Sequence, residues 1–158
     1  MFIANSIVEV IQLMLAPGLM ISACGLLLLG MNNKYSLVVN RIRLLNDEKR
    51  KILDRSEESE TILADNVRLE SLSIQLEKLL HRVKLVKRAV QNYTIAVAFF
   101  ILTSIFIGMS YLIEMGNLQY LITIIFLAGM LLVLAGAMFA AYEIKKGYEI
   151  IILEIEAE

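Results

Sequence analysis

Apolar residues recur along this chain in two patterns that run into each other. Leu69, Leu72, Leu76, Leu79, Val83, Val86 and Val90 alternate steps of three and four within a charged segment, the seam by which two packed helices interlock their side chains. From 93 to 113 there is no charged residue, and about 20 apolar residues carry a helix across a bilayer's hydrocarbon core. The two stretches join without a break, which predicts one rod standing across a membrane boundary. Its partner helix must come from elsewhere in the chain or from another copy. Upstream, Lys34 opens a helix in which Val38, Ile42, Leu45 and Ile52 carry a similar spacing, with the mixed charge of a solvated surface on its other positions. Segments 34–55 and 69–90 have 22 residues each, so both arms would be about 33 Å long. The polar stretch 56–65 is the natural turn between them, and residues 34–92 are expected to form an antiparallel helical hairpin.

Two further apolar runs complete the pattern. The uncharged run 13–31 is 19 residues long and is taken as span one, ended by Asn32 and Asn33. Before it, Ser6 and Glu9 have capping-box spacing, and Ile3, Ile7, Val10, Ile11 and Met14 recur at helical intervals, which suits an amphipathic interfacial helix over 1–12. Pro17 then either starts a new helix or kinks a single one. After span two, 93–113, the segment 114–117 is too short for anything but a tight turn, with Gly116 a suitable helix stop. Span three covers 118–142, and Glu143, Lys145 and Lys146 mark its exit. The tail, 143–158, is apolar and acidic. Tyr148, Ile151, Ile152 and Ile155 fit a helical face, although an isoleucine-rich run also suits a strand. The expected fold is an all-α membrane protein with three transmembrane helices and a long cytoplasmic hairpin between spans one and two.

Composition agrees, with 58% hydrophobic residues, one proline and a mean hydropathy of +0.70, unlike a soluble domain. Charge sets the orientation. Of 15 Lys and Arg, thirteen lie between spans one and two and two after span three. By the positive-inside rule the N-terminus faces out, and the hairpin and tail face the cytoplasm. Tyr35, Tyr93, Tyr111, Tyr120 and Tyr142 fall at the proposed interfaces, where amphipathic rings are favoured. The N-terminus lacks the basic leading region of a signal peptide and a clear cleavage site, so span one is expected to be retained.

Leu15-Ala16-Pro17 opening span one, Ser22-Ala23-Cys24-Gly25-Leu26-Leu27 within it, Asn33-Lys34-Tyr35 at its end, Asn40-Arg41-Ile42-Arg43-Leu44-Leu45 beyond it and the basic stretch 82–89 together resemble an uncharacterised family of bacterial three-span membrane proteins. The resemblance covers most of residues 10–142. It implies the topology and brings no activity with it; a bacterial inner-membrane location is expected. In topology alone the chain is also similar to the stator-type proton-channel subunits of the TonB, Tol and flagellar-motor systems, with which it shares no sequence motif.

Candidate chemistry is sparse. His81 is the single histidine and Cys24 the single cysteine, so neither a metal site nor a disulfide framework is expected. Glycine-rich nucleotide loops are absent, and helical mixed charge is not a nucleic-acid surface. No enzyme, cofactor or nucleic-acid partner is expected. No ionisable residue lies at mid-depth in the spans, which argues against a carboxylate proton relay. Hydroxyls remain: Ala96, Thr103 and Ser110 recur every seventh residue of span two, with Thr123 on span three. They would line an axial pore in a ring of subunits, or simply bond the carbonyl one turn back.

Small residues at Gly18 and Ser22, and at Gly129, Gly136 and Ala140, allow close approach of helices. They are expected to serve self-association, the alternative being packing within one chain. Leu44, Leu53, Leu63 and Leu80 are further intersubunit candidates. Lys34, Arg41, Arg43, Arg82, Lys84, Lys87 and Arg88 form a basic belt at the inner boundary, suited to anionic lipid headgroups. The tail's Glu149, Glu154, Glu156 and Glu158 are candidates to fold back onto that belt. Two functions compete: a homo-oligomeric pore or stator-like subunit, and a non-conducting scaffold whose hairpin binds a cytoplasmic protein.

Overall fold

The computed structural model describes residues 2–56, 62–113 and 118–156, with side chains for 7–54, 66–111 and 119–147. The described chain is entirely helical: α1 (Phe2–Ser56), α2 (Ile62–Ile113) and α3 (Leu118–Glu156). Residues 57–61 of the stretch expected to turn, all of 114–117, the contacts of Leu63 and the side chains of 148–158 lie outside the described residues.

Length dictates the arrangement. With 55, 52 and 39 residues, the helices are about 83, 78 and 58 Å long. A hydrocarbon core is only about 30 Å thick, so each must protrude. All three are long and apolar enough in part to cross a membrane, and their charges gather at one end. There α1 leaves its apolar run at Lys34, α2 enters its own after Arg88, and α3 leaves at Glu143. The protruding parts therefore emerge on one face.

α1 is continuous through both places where the sequence suggested an interruption. Pro17 lies inside the helix with its ring fully buried, and Asn32 and Asn33 are helical. The helix holding Ser6 and Glu9 runs unbroken into span one, as in the reading of one helix through Pro17. The polar asparagines end the apolar run without ending the helix, because a neighbouring helix holds the backbone in register. α3 likewise passes Glu143 and Gly147 without a break.

That register is set by a seven-residue repeat of buried positions. On α1, Pro17, Cys24, Met31, Val38 and Leu45 are buried, one every seventh residue, from mid-membrane well into the charged segment. On α2, Leu72, Val86, Tyr93 and Phe100 are buried at multiples of the same step. This is the recurrence expected of two helices packed along a shared seam. Met31 clusters with Val86, Ala89 and Tyr93, and Cys24 with Ala96 and Phe100. At the far end Arg68 donates to Glu48 at 2.6 and 3.0 Å, an exposed pair of little energetic worth that is consistent with the antiparallel alignment.

α3 packs along the other flank of α2, and α1 and α3 scarcely touch. The central helix accordingly supplies most of the core.

Candidate functional site

Large groups on α2 meet glycines on α3. A Cβ added at Gly129 would lie 2.9 Å from the Phe100 ring, and one at Gly136 would lie 2.7 Å from Tyr93. Phe126 completes the first seat, its ring centroid 5.6 Å from that of Phe100. At Gly147 the neighbour is a cation, with the Arg82 Nη2 3.0 Å from such a Cβ. The missing side chains let two rings and one guanidinium lie against the α3 backbone.

Arg82 reaches α3 to meet a carboxylate. Its Nε and Nη2 donate to Glu143 Oε1 at 3.1 and 2.7 Å, while Lys34 Nζ donates to Glu143 Oε2 at 3.2 Å. Each oxygen of Glu143 is thereby engaged, one by α2 and one by α1. Glu143 is 1% exposed, whereas the side chains of Arg82 and Lys34 are 24% and 40% exposed. A carboxylate this buried is tolerated only when paired, and here the pairing ties all three helices at the membrane boundary. Among the described residues no buried side-chain polar atom lacks a hydrogen-bond partner.

Above this knot the wall of a cleft of about 420 Å³ is completed by Leu37 and Val38 of α1 and Ile144 of α3. A second cleft of about 420 Å³ lies at the opposite end of the apolar slab, between Val10 and Leu13 of α1, Ser110 of α2 and Ile122 and Thr123 of α3. Both occupy the furrow left because α1 and α3 stand apart.

The sequence-derived sites fare differently. Ala96 and Thr103 are 0% and 1% exposed and face the protomer's own core, Ala96 among Cys24 and Phe100. These two of the four pore candidates lie on the face that α2 packs against its neighbours in the same chain. Thr103 donates to the Phe99 carbonyl at 2.8 Å and Thr123 to that of Gln119 at 2.9 Å, the back-bonding alternative. Ser110 and Thr123 share the second cleft.

Gly129, Gly136 and Ala140, expected between copies, pack within the chain, Ala140 against the Met31 and Tyr93 cluster. Gly18 differs: nothing lies within 4 Å of a Cβ there, and the exposed Ser22 donates to the Gly18 carbonyl at 3.3 Å.

The basic belt also divides. Lys34 and Arg82 belong to the Glu143 knot, and Arg88 lies over the Phe139 ring at 5.9 Å, a cation–π contact. Arg41, Arg43, Lys84 and Lys87 are exposed. Glu143, read from the sequence only as an exit marker, is the belt's acidic partner. The signal was present, since Gly129, Gly136 and Glu143 repeat every seventh residue and so share one face of α3.

Three membrane-length helices, two of them packed on opposite flanks of the central α2, define a multi-pass α-helical membrane protein. The chain belongs to a family of proteins of unknown function, DUF2721, matched over residues 14–152. No curated protein and no solved structure matches it.

Proposed function

We propose that the protein is a non-enzymatic, non-conducting scaffold of the bacterial inner membrane, which self-associates and holds a stiff helical hairpin in the cytoplasm for a protein partner. The observation that carries this reading is the set of large apolar side chains exposed beyond the boundary charges. Leu44 is 64% exposed, and Val67, Ile74 and Leu80 are also exposed. Val67 and Ile74 are one seven-residue step apart, so they share a face of α2. Large apolar side chains left in water on both arms of the hairpin favour a surface that covers them. Self-association is further supported by Gly18, Gly25 and Gly30, which leave open space along the membrane part of α1. A conducting role would need a polar face free to meet an axis, and the Ala96 and Thr103 face is filled by the chain's own packing.

Two measurements on the purified full-length protein test the reading. Reconstituted in liposomes, it should pass protons, sodium or potassium no faster than lipid alone. By native mass spectrometry it should be larger than a monomer, and Leu44→Glu with Leu80→Glu should reduce that assembly or remove partner binding. Specific ion flux, or a monomer indifferent to both substitutions that binds no partner, would overturn it.

A further inference from the structure

We infer that the cleft at the inner membrane boundary, between Lys34, Arg82 and Ile144, seats the phosphate of an anionic glycerophospholipid from the cytoplasmic leaflet. Four observations converge on this. The first is depth: Lys34 and Glu143 are the first charged residues on leaving the apolar runs of α1 and α3, so the cleft opens where headgroups lie. The second is charge, because two cations share one carboxylate. Glu143 takes two of the five guanidinium N–H groups of Arg82 and one of the three ammonium protons of Lys34. A surplus positive charge and unused donors are left on Arg82 and Lys34, both of which line the cleft, and phosphate oxygens accept charge-assisted hydrogen bonds of this kind.

The third observation is the wall. Leu37 and Ile144, 70% and 58% exposed, stand beside the charges. Water suits the cations but not these side chains, whereas the glycerol and first acyl carbons of a lipid would cover them. A soluble anion offers nothing to this rim. The fourth is Gly147: with no side chain there, the guanidinium lies against α3 instead of being pushed away from the cleft. The inference goes beyond the scaffold reading and does not depend on it, since it requires only that the boundary lie at Lys34 and Glu143.

The test is native mass spectrometry of the full chain released from detergent with phosphatidylglycerol or phosphatidylcholine added at equal concentration, alone or with millimolar inorganic phosphate. One phosphatidylglycerol per chain should persist at activation energies that strip phosphatidylcholine, and inorganic phosphate should not displace it. A basic side chain near an anionic lipid surface contributes a factor of about five in affinity, so Lys34→Gln should weaken retention by about that much. Its fold should survive, because the pair between Arg82 and Glu143 remains. Leu37→Gln, at an exposed side chain, should also weaken retention and gives an answer if Lys34→Gln fails to fold. Arg43→Gln, outside the cleft wall, should not. Equal retention of both lipids, displacement by inorganic phosphate, indifference to both cleft variants, or an equal loss in Arg43→Gln would each overturn the inference. The last would leave a diffuse basic belt in place of a site.

Discussion

At the residue scale, the membrane part is held by pairs in which one helix gives up a side chain so that another can use the space. Tyr93 over Gly136 and Phe100 over Gly129 are two such pairs, and packing this close replaces the hydrophobic drive that lipid cannot supply. Gly136→Ala would put a methyl group 2.7 Å from the Tyr93 ring, forcing the ring or the helix aside at a cost of about 1–3 kcal/mol. Denaturation in detergent should show that loss, and unchanged stability would mean the ring is not seated there. Glu143 is the polar counterpart. Glu143→Gln keeps its shape but leaves Arg82 and Lys34 without their counter-charge, and should cost about 1–3 kcal/mol by the same measurement. Stability equal to the parent protein would show that the three-way pairing contributes nothing. Little of this was legible beforehand. Glycines spaced for close approach announce that something comes close without saying whether it belongs to the same chain, and Glu143 looks like any acid at the end of a span until a partner is placed opposite.

At the element scale the sequence was far more informative. Membrane-length runs without charge identify all three spans, because burying a single charged group in hydrocarbon outweighs any local preference. The alternation of leucines and valines on α2 in steps of three and four was equally plain, and two of its positions, Leu72 and Val86, are buried. Helix continuity was legible on α2, left open on α1 at Pro17, and missed at Asn32 and Asn33. Pro17 and the pair Asn32 and Asn33 look like stops to anyone weighing local propensity, yet the buried repeat of Pro17, Cys24, Met31, Val38 and Leu45 passes straight through them. A helix clamped along its whole length by a neighbour absorbs weak formers, and proline is tolerated where the bundle satisfies the freed carbonyl. A second proline at the boundary should not be absorbed. Asn33→Pro removes a backbone hydrogen bond and collides with the preceding turn, costing about 3 kcal/mol, and should make residues 30–37 cleavable by protease. A variant as resistant as the parent would mean that a hinge already exists there.

At the scale of the whole molecule, charge segregation, the knot at Glu143 and the furrow between α1 and α3 all mark the same level, the face through which the hairpin leaves the bilayer. Orientation is tested simply, since Cys24 is the single cysteine and is buried. In a Cys24→Ala background, a cysteine replacing the exposed Arg50 should react with an impermeant maleimide only when the cytoplasmic face is accessible, and labelling from outside intact cells would invert the topology. The central claim is mechanical: α1 crosses the boundary as one unbroken rod and carries the hairpin rigidly with it. Its most direct test is a distance measurement between spin labels replacing Leu19 and Asn40, both exposed, in the same Cys24→Ala protein, reconstituted in bilayers and diluted with unlabelled copies. An unbroken helix places these positions about 32 Å apart and gives one narrow distance distribution near that value. A broad distribution, or a population well short of it, would mean that the chain bends or melts at Asn32 and Asn33, and the rod would have to be abandoned.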